Sequence, residues 1–366
     1  MKISKVLTLA ALTAAAACVQ AQTKLTYSSW FPAPSVLHAG VLKPYFERVE
    51  KDSNLKIELF TDGTLAGGRE TLGALKGGTV DMGLVAFAYH PGELKYPVLL
   101  AESSLMAKNT LAANAALNEL LLLRCVDCTD EFKRQGIRPL SAHVSPDYSL
   151  LCNKKIVSLA DLKGKRVRAP SPWSAEISAL GGTPVNLTIP ETYEALQRGQ
   201  IDCTLASAGW LTSHSMADVV KFVSQHRWGG VAAGMHVAMS EAKWQTLTKE
   251  QRRALLMNAG QSALDLNRKF AAEDAAAIKT AQAAGKIEFV APAADLLAAD
   301  TKYRAGEAER VHKLGERRNV KDADKLVANW QQLLAKWDKI YTDVKGDDTA
   351  FLQKMNEEIF SKVSVD

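Results

Sequence analysis

The sequence predicts an α/β protein of two lobes facing each other across a cleft, with a long helix bracing both. Three observations carry this. The pattern E-T-x-x-A-L-x-x-G-x-[V/I]-D-x-x-L occurs twice, at 70–84 and at 191–205, and matches at eight positions in register. Strand-like and helix-like stretches alternate along most of the chain before residue 249. At 366 residues the chain is also too long for one ordinary core, so two domains are expected. Each copy of the repeat reads as a short helix, a glycine that ends it in the left-handed conformation, and a buried strand. The copies lie too far apart for a short-period solenoid. The bland alternative is a chance likeness between two helix-to-strand connections, and eight matched positions argue against it.

The elements follow in order. Residues 25–29 form a strand that leads into a Trp30-Phe31-Pro32 loop. Residues 36–51 form an amphipathic helix, with Leu37, Val41, Tyr45 and Val49 at helical spacing. Residues 55–60 alternate as a strand, 82–88 form another, and 111–132 read as one helix. Strands of the second lobe fall at 148–152, 166–169 and 184–187, and a strand at 231–239 returns from it. A helical run from Lys249 continues to about Ala284, before Gly285, and is long enough to brace both lobes. Residues 326–341 and 351–360 are further amphipathic helices. Such alternation predicts mainly parallel sheets, with ligands beyond the carboxyl ends of their strands. Two lobes of this kind leave an interdomain cleft, a favoured place for a small-molecule pocket.

The first residues read as a cleavable export signal. Lys2 and Lys5 precede an apolar stretch at 6–17, and Val19-Gln20-Ala21 puts small residues at the −3 and −1 positions of a cleavage site. The stretch is shorter than the ~20 residues a membrane span needs. A lipid anchor at Cys18 is the weaker option, because Ala15-Ala16-Ala17-Cys18 lacks the usual early Leu. The expected location is therefore the periplasm. The net charge of +5 comes from scattered residues without a basic stripe, which argues against nucleic acid as a partner.

Four cysteines follow the signal: Cys125, Cys128, Cys152 and Cys203. An exported chain meets an oxidising compartment, and four cysteines allow three full pairings. Cys125 and Cys128 have the spacing of a redox motif, but they follow a Leu-rich helical run, so a structural role is expected. Cys152 and Cys203 both fall in strands of the second lobe, on neighbouring elements, which leaves a bridge between them open. No zinc spacing appears, the seven His are dispersed, and no metal or cofactor is expected.

Residues 159–173 hold the best candidate for a ligand contact. Arg166, Val167 and Arg168 alternate as a strand, so both arginines share a face. A guanidinium at a strand's carboxyl end offers a rigid fork that matches a carboxylate. Two solvated edge-strand charges are the alternative. Aromatic residues on predicted cleft loops are Trp30, Phe31, Phe87, Tyr89, Tyr148, Trp173 and Trp210. Tyr89 and Trp210 fall nearly in register after the two repeated strands. For any single aromatic, ordinary core is the competing reading. His38, His143, His214 and His236 could each contact a ligand, but a satisfied structural His is the preferred reading for each.

Taken together, these stretches resemble the substrate-binding proteins of tripartite ATP-independent periplasmic (TRAP) transporters, of the dicarboxylate-binding type. The resemblance rests on residues 61–70, on Gly78-Thr79-Val80-Asp81-Met82-Gly83, on 159–170, on 191–202 and on Lys243-Trp244 with its following helix. It implies a two-lobed periplasmic-binding-protein fold, no catalysis, closure around an organic acid, and membrane subunits of an ion-driven transporter as partners. It places lobe boundaries at 22–146 with 232–271, and at 147–231 with 272–366, the C-terminal helices going with the second lobe. Arg168 aligns with the family's carboxylate-pairing arginine. Two departures stand beside it. Tyr148 replaces a second arginine that the family often carries, and Ala206 replaces a ligand-contacting Asn, leaving Ser207 as the nearest polar residue. A second ligand carboxylate would lack a partner, which is costly when buried. The expected ligand is thus a monocarboxylate with an apolar or aromatic body. Two other classes remain open: a receptor feeding an ABC transporter or a sensor kinase, and a secreted enzyme. The sequence carries no G-x-S-x-G elbow, HExxH or glycine-rich phosphate loop to favour the latter.

Overall fold

The structure, a computed structural model, describes residues 22–366. The apolar leader read at 1–21, with Cys18, lies outside them. Eleven strands build two sheets. They are β1 (Thr23–Ser28), β2 (Leu55–Phe60), β3 (Met82–Ala86), β4 (Ile137–Val144), β5 (Ser149–Cys152) and β6 (Arg166–Arg168). The chain continues with β7 (Thr183–Val185), β8 (Cys203–Ala206), β9 (Phe222–Ser224), β10 (Ala232–Ser240) and β11 (Glu288–Val290). The first sheet has the order β2-β1-β3-β10-β4, the second β11-β9-β5-β8-β6-β7.

Both sheets are mixed, where mainly parallel ones were expected. β10 runs antiparallel to β3 and β4, and β5 runs antiparallel to β8 and β9. The reason is the chain path. β10 and β5 each enter their sheet from the other lobe, at the end opposite to a strand fed by its own crossover helix.

The sequence repeat is a structural repeat. Gly78 and Gly199 both adopt positive φ, at 71° and 64°, behind the helices Thr71–Lys76 and Ile189–Gln197. Thr71 and Thr192 each donate their hydroxyl to the carbonyl four residues back, at 2.7 and 2.9 Å. Asp81 accepts from the main-chain N–H of Thr26 on β1, and Asp202 accepts from that of Arg166 on β6, at 2.8 and 2.9 Å. The same carboxylate thus pins the same neighbouring strand in each lobe. The correspondence aligns Thr26 with Arg166 and Ser28 with Arg168, so only the second lobe carries a cation at this strand end.

Two segments join the lobes side by side, one leaving β4 and one entering β10. They bond to each other through Ser145 N–H to Val231 O (2.8 Å), Tyr148 N–H to Gly229 O (2.9 Å) and Trp228 N–H to Tyr148 O (2.8 Å). The long helical run is not continuous. It divides into Lys249–Met257 and Ala259–Ala284 at Asn258, whose amide donates to Asp52 at 2.9 Å and to Ala254 O at 3.0 Å. The second piece has 26 residues, about 39 Å at 1.5 Å per residue, and does brace both lobes. Leu264, Leu266 and Phe270 join the core of the first lobe, and Ala277 and Ala281 that of the second.

The C-terminal helices correct the lobe assignment. Leu326, Trp330, Leu333 and Trp337 of the helix Ala323–Asp343 belong to the first lobe's core, as do Phe351 and Phe360. The helix Ala323–Asp343 packs over the alanine-rich helix Thr110–Glu119 of that lobe. Helical periodicity marks a face as buried but does not say against which lobe.

The run at 111–132 also breaks, at Cys125, where a new helix Val126–Arg134 begins. Cys125 is bonded to Cys128, and Cys152 to Cys203. The latter two are direct partners across β5 and β8. Among the described residues no helix is long and apolar enough to cross a membrane.

Candidate ligand-binding cleft

Arg168 ends β6 at the bottom of the cleft and is 2% exposed. Its Nε–H donates to Leu187 O at 3.1 Å and its Nη1 to Leu205 O at 3.2 Å, and its guanidinium lies 5.4 Å from the Trp210 ring centroid. Two of its five N–H donors are thereby used. Among the described residues no carboxylate stands within ion-pair distance of it. A buried cation without a counter-ion is unfavourable. Arg166, by contrast, is exposed and paired with Asp202 at 3.3 Å. Of the two strand arginines, only Arg168 faces the cavity.

The cavity above Arg168 lies between the lobes and has a volume of about 80 Å³, on a scale where one water needs about 10–15 Å³. That is room for one small, flat molecule. Arg168 is its sole charged lining residue among the described ones. Most of its walls are apolar or aromatic, with His143, Ser145, Ser171 and Ser207 as polar exceptions, and Trp30, Phe31, Tyr89, Tyr148, Ser207 and Trp210 all line it, as expected from the sequence.

Two expected residues do not. Phe87 is fully buried in the first lobe's core. β3 ends at Ala86, two residues before the expected end, and a tight turn over Phe87–Tyr89 brings Ala88 and Tyr89, but not Phe87, to the cleft. Trp173 is likewise fully buried and does not line the cavity. It sits one layer behind, stacked on Tyr148 at 4.8 Å and donating to Trp228 O at 2.7 Å. It therefore positions Tyr148 rather than touching a ligand. Ser207 lines the cavity, but its hydroxyl donates to Asp274 of the bracing helix, which also accepts from Gly209 N–H at 2.7 Å. Burial raises the Asp274 carboxyl, and these two bonds oppose the rise.

Burial also raises the hydroxyls of Tyr89 and Tyr148, the latter to about 12, against the pull of the neighbouring Arg168 charge. Both stay protonated at neutral pH. The lobes touch across the cleft mouth. Phe31 of the first lobe meets His214 of the second edge-on at 5.8 Å, and His214 stacks on Trp210 at 4.9 Å. Burial, aided by Arg168, lowers the His214 ring to about 4.

Other lining residues were not singled out as ligand contacts in the sequence, among them Ser171, Phe270 and His143. Ser171 lies inside the stretch singled out for Arg168, and its buried Oγ has no partner in the protein. Phe270 reaches the cavity from the bracing helix. His143, read as structural, lines the cavity near the end of β4. A polar residue near a lobe-crossing segment was the available signal for the last.

The family model of bacterial extracellular solute-binding proteins, family 7, matches residues 27–304. The chain belongs to this family. This agrees with the TRAP resemblance read from the repeats. Of known relatives, a solute-binding protein of Roseobacter denitrificans is 24% identical over 57% of this chain and 63% of its own length. The 2,3-diketo-L-gulonate-binding periplasmic protein YiaO of Escherichia coli is 26% identical over 60% of this chain and 66% of its own length. The chain thus spans just under two thirds of these relatives. Solved structures share the fold. A TRAP solute-binding protein of Rhodoferax ferrireducens, in complex with copurified benzoate, is 24% identical with a TM-score of 0.76, covering 87% of this chain and 99% of that one. A marine metagenome protein specific for aromatic acid ligands, in complex with 3-hydroxybenzoate, is 24% identical with a TM-score of 0.75 and the same coverage. A Bordetella bronchiseptica protein with bound mandelate is 22% identical with a TM-score of 0.73, covering 86% and 99%.

Proposed function

We propose that this solute-binding protein captures a small aromatic monocarboxylate in the periplasm and delivers it, unchanged, to the membrane subunits of a TRAP transporter. The observation that carries the reading is Arg168, a buried cation without a counter-ion at the base of an apolar, aromatic-walled cavity. One ligand carboxylate would complete the guanidinium fork bidentately. Tyr148 and Tyr89 stand beside it as neutral donors. Their place relative to Arg168 suits a carboxylate's remaining lone pairs. Trp210, Phe31 and Phe270 line the cavity with aromatic surface for a planar body. A sugar acid, with hydroxyls on most carbons, would leave several of them unpaired against these walls. The solved relatives that hold benzoate, hydroxybenzoate and mandelate support the aromatic assignment, and the cavity volume suits one ring. Delivery to TRAP subunits rests on family membership.

The test is a thermal-shift screen followed by calorimetry, with benzoate, hydroxybenzoates, mandelate, glucuronate and 2,3-diketo-L-gulonate as probes. Aromatic acids are expected to bind at micromolar Kd or tighter. Tight binding of the sugar acids alone would overturn the assignment.

A further inference from the structure

We infer that His143 reads a second polar group on the ligand, a ring hydroxyl at the end remote from the carboxylate, so that the preferred substrates are hydroxylated aromatic acids. The inference rests on the aromatic-acid reading above and deepens it. The cavity has two polar ends on different lobes. Arg168, with Tyr148 and Ser171, forms one end on the second lobe, and His143 forms the other on β4 of the first. Arg168 and His143 stand on strands of different sheets and line the same cavity from facing lobes. The stretch between them is apolar, with Leu84, Ala86 and Leu266 among its walls.

The chemistry of the His143 end selects a neutral partner. Burial holds the imidazole at about 4, so the ring is neutral at physiological pH. A neutral imidazole offers one N–H donor and one bare nitrogen acceptor and cannot neutralise an anion. A second carboxylate is therefore excluded there, whereas a hydroxyl satisfies it. Nδ1 of His143 is buried and has no partner in the protein. Such a group is unfavourable unless something in the cavity meets it. Ser145, the neighbouring polar residue, is not available. Its hydroxyl donates to Pro146 O at 3.0 Å and accepts from Val231 N–H at 3.0 Å. Behind His143, the ring of His236 packs edge-on at 5.6 Å, and His236 is itself tied to Ser262 at 3.0 Å. That edge-on contact helps to hold the His143 ring in place.

The test compares benzoate with 2-, 3- and 4-hydroxybenzoate by calorimetry on the parent protein and on His143→Phe and His143→Gln. The parent is expected to bind at least one hydroxybenzoate about three- to tenfold more tightly than benzoate, the span of one neutral hydrogen bond. His143→Phe is expected to lose that preference while still binding benzoate, which also reports that the variant is folded. His143→Gln, which keeps an acceptor, is expected to recover part of it. If His143→Phe retains the parent's preference, or the parent shows none, the inference falls while benzoate binding leaves the aromatic-acid reading intact. If no aromatic acid binds the parent, both fall.

Discussion

The hydroxyl oxygen of Tyr89, on the first lobe, accepts a hydrogen bond of 2.9 Å from the main-chain N–H of Ile189, on the second. Ile189 opens the repeated helix whose capping box, Thr188 with Glu191, fixes that N–H in place. The bond joins the lobes beside the ligand cavity. Tyr89→Phe is expected to weaken ligand binding about three- to tenfold, mostly through faster dissociation. Stopped-flow release kinetics would check this. An unchanged off-rate would show that the bond does not hold the cleft shut.

Arg168 is expected to dominate affinity. Arg168→Ala leaves a ligand carboxylate buried without its counter-ion, a loss of about 3–5 kcal/mol, or roughly two to three orders of magnitude in Kd or more. Arg168→Lys should bind poorly as well, since an ammonium cannot reproduce the fork that also holds Leu187 O and Leu205 O. Arg168→Met separates binding from folding. Without ligand its melting temperature is expected to stay within a few degrees of the parent's, because the lost bonds are offset by removing a buried charge. The ligand-induced shift should vanish. Calorimetry on the Ala variant that gave an affinity within a few-fold of the parent would count against the carboxylate reading.

Acid should loosen the protein through its histidines. His143 and His214 are both held at about 4, below the ordinary 6.5, first by burial. Below pH 6.5 the unfolded chain takes up protons that the folded rings refuse. The stability these rings contribute is complete above pH 6.5 and drains away as pH falls towards 4, by about 3 kcal/mol per ring at most. His214→Gln is expected to flatten the fall in melting temperature between pH 6.5 and 4.5 relative to the parent. Parallel curves would assign the acid sensitivity elsewhere.

The two disulfides should contribute unequally. Cys152–Cys203 closes a loop of sequence separation 51, and Cys125–Cys128 one of only 3. Chain-entropy scaling gives about 4 kcal/mol for the first and about 1–2 kcal/mol for the second. Paired Cys→Ser variants compared by denaturant unfolding should show this order. Equal losses would mean that strain or residual structure in the unfolded chain outweighs loop length.

What the sequence disclosed followed from how local each signal is. The repeat was legible because Gly78 and Gly199 serve a backbone conformation, and Asp81 and Asp202 serve one strand contact, so the same residues recur. Arg168 was legible from its strand end together with the family pattern. Phe87 was misplaced because a strand's alternation stops mattering where the strand turns, and β3 turns at Ala86. The break at Asn258 depends on Asp52, far away in the chain, and has no local signature. Ser171 falls inside the stretch read around Arg168, whereas His143 and Phe270 come from distant segments that meet it only in the folded cleft.

β10 lies between β3 and β4 in the first sheet, yet it is made after the chain has passed through most of the second lobe. Until it arrives, β3 and β4 present facing edges with nothing between them, open to pairing with another chain. The first lobe therefore cannot complete itself in the order of synthesis. Its assembly waits on long-range pairing, which slows folding and lengthens the exposure of those edges. In pulse-labelled refolding, the amides of β3, β4 and β10 are expected to gain protection together in a late phase, after the helices. Early protection of β3 and β4 without β10 would show that some other segment guards the gap in the meantime.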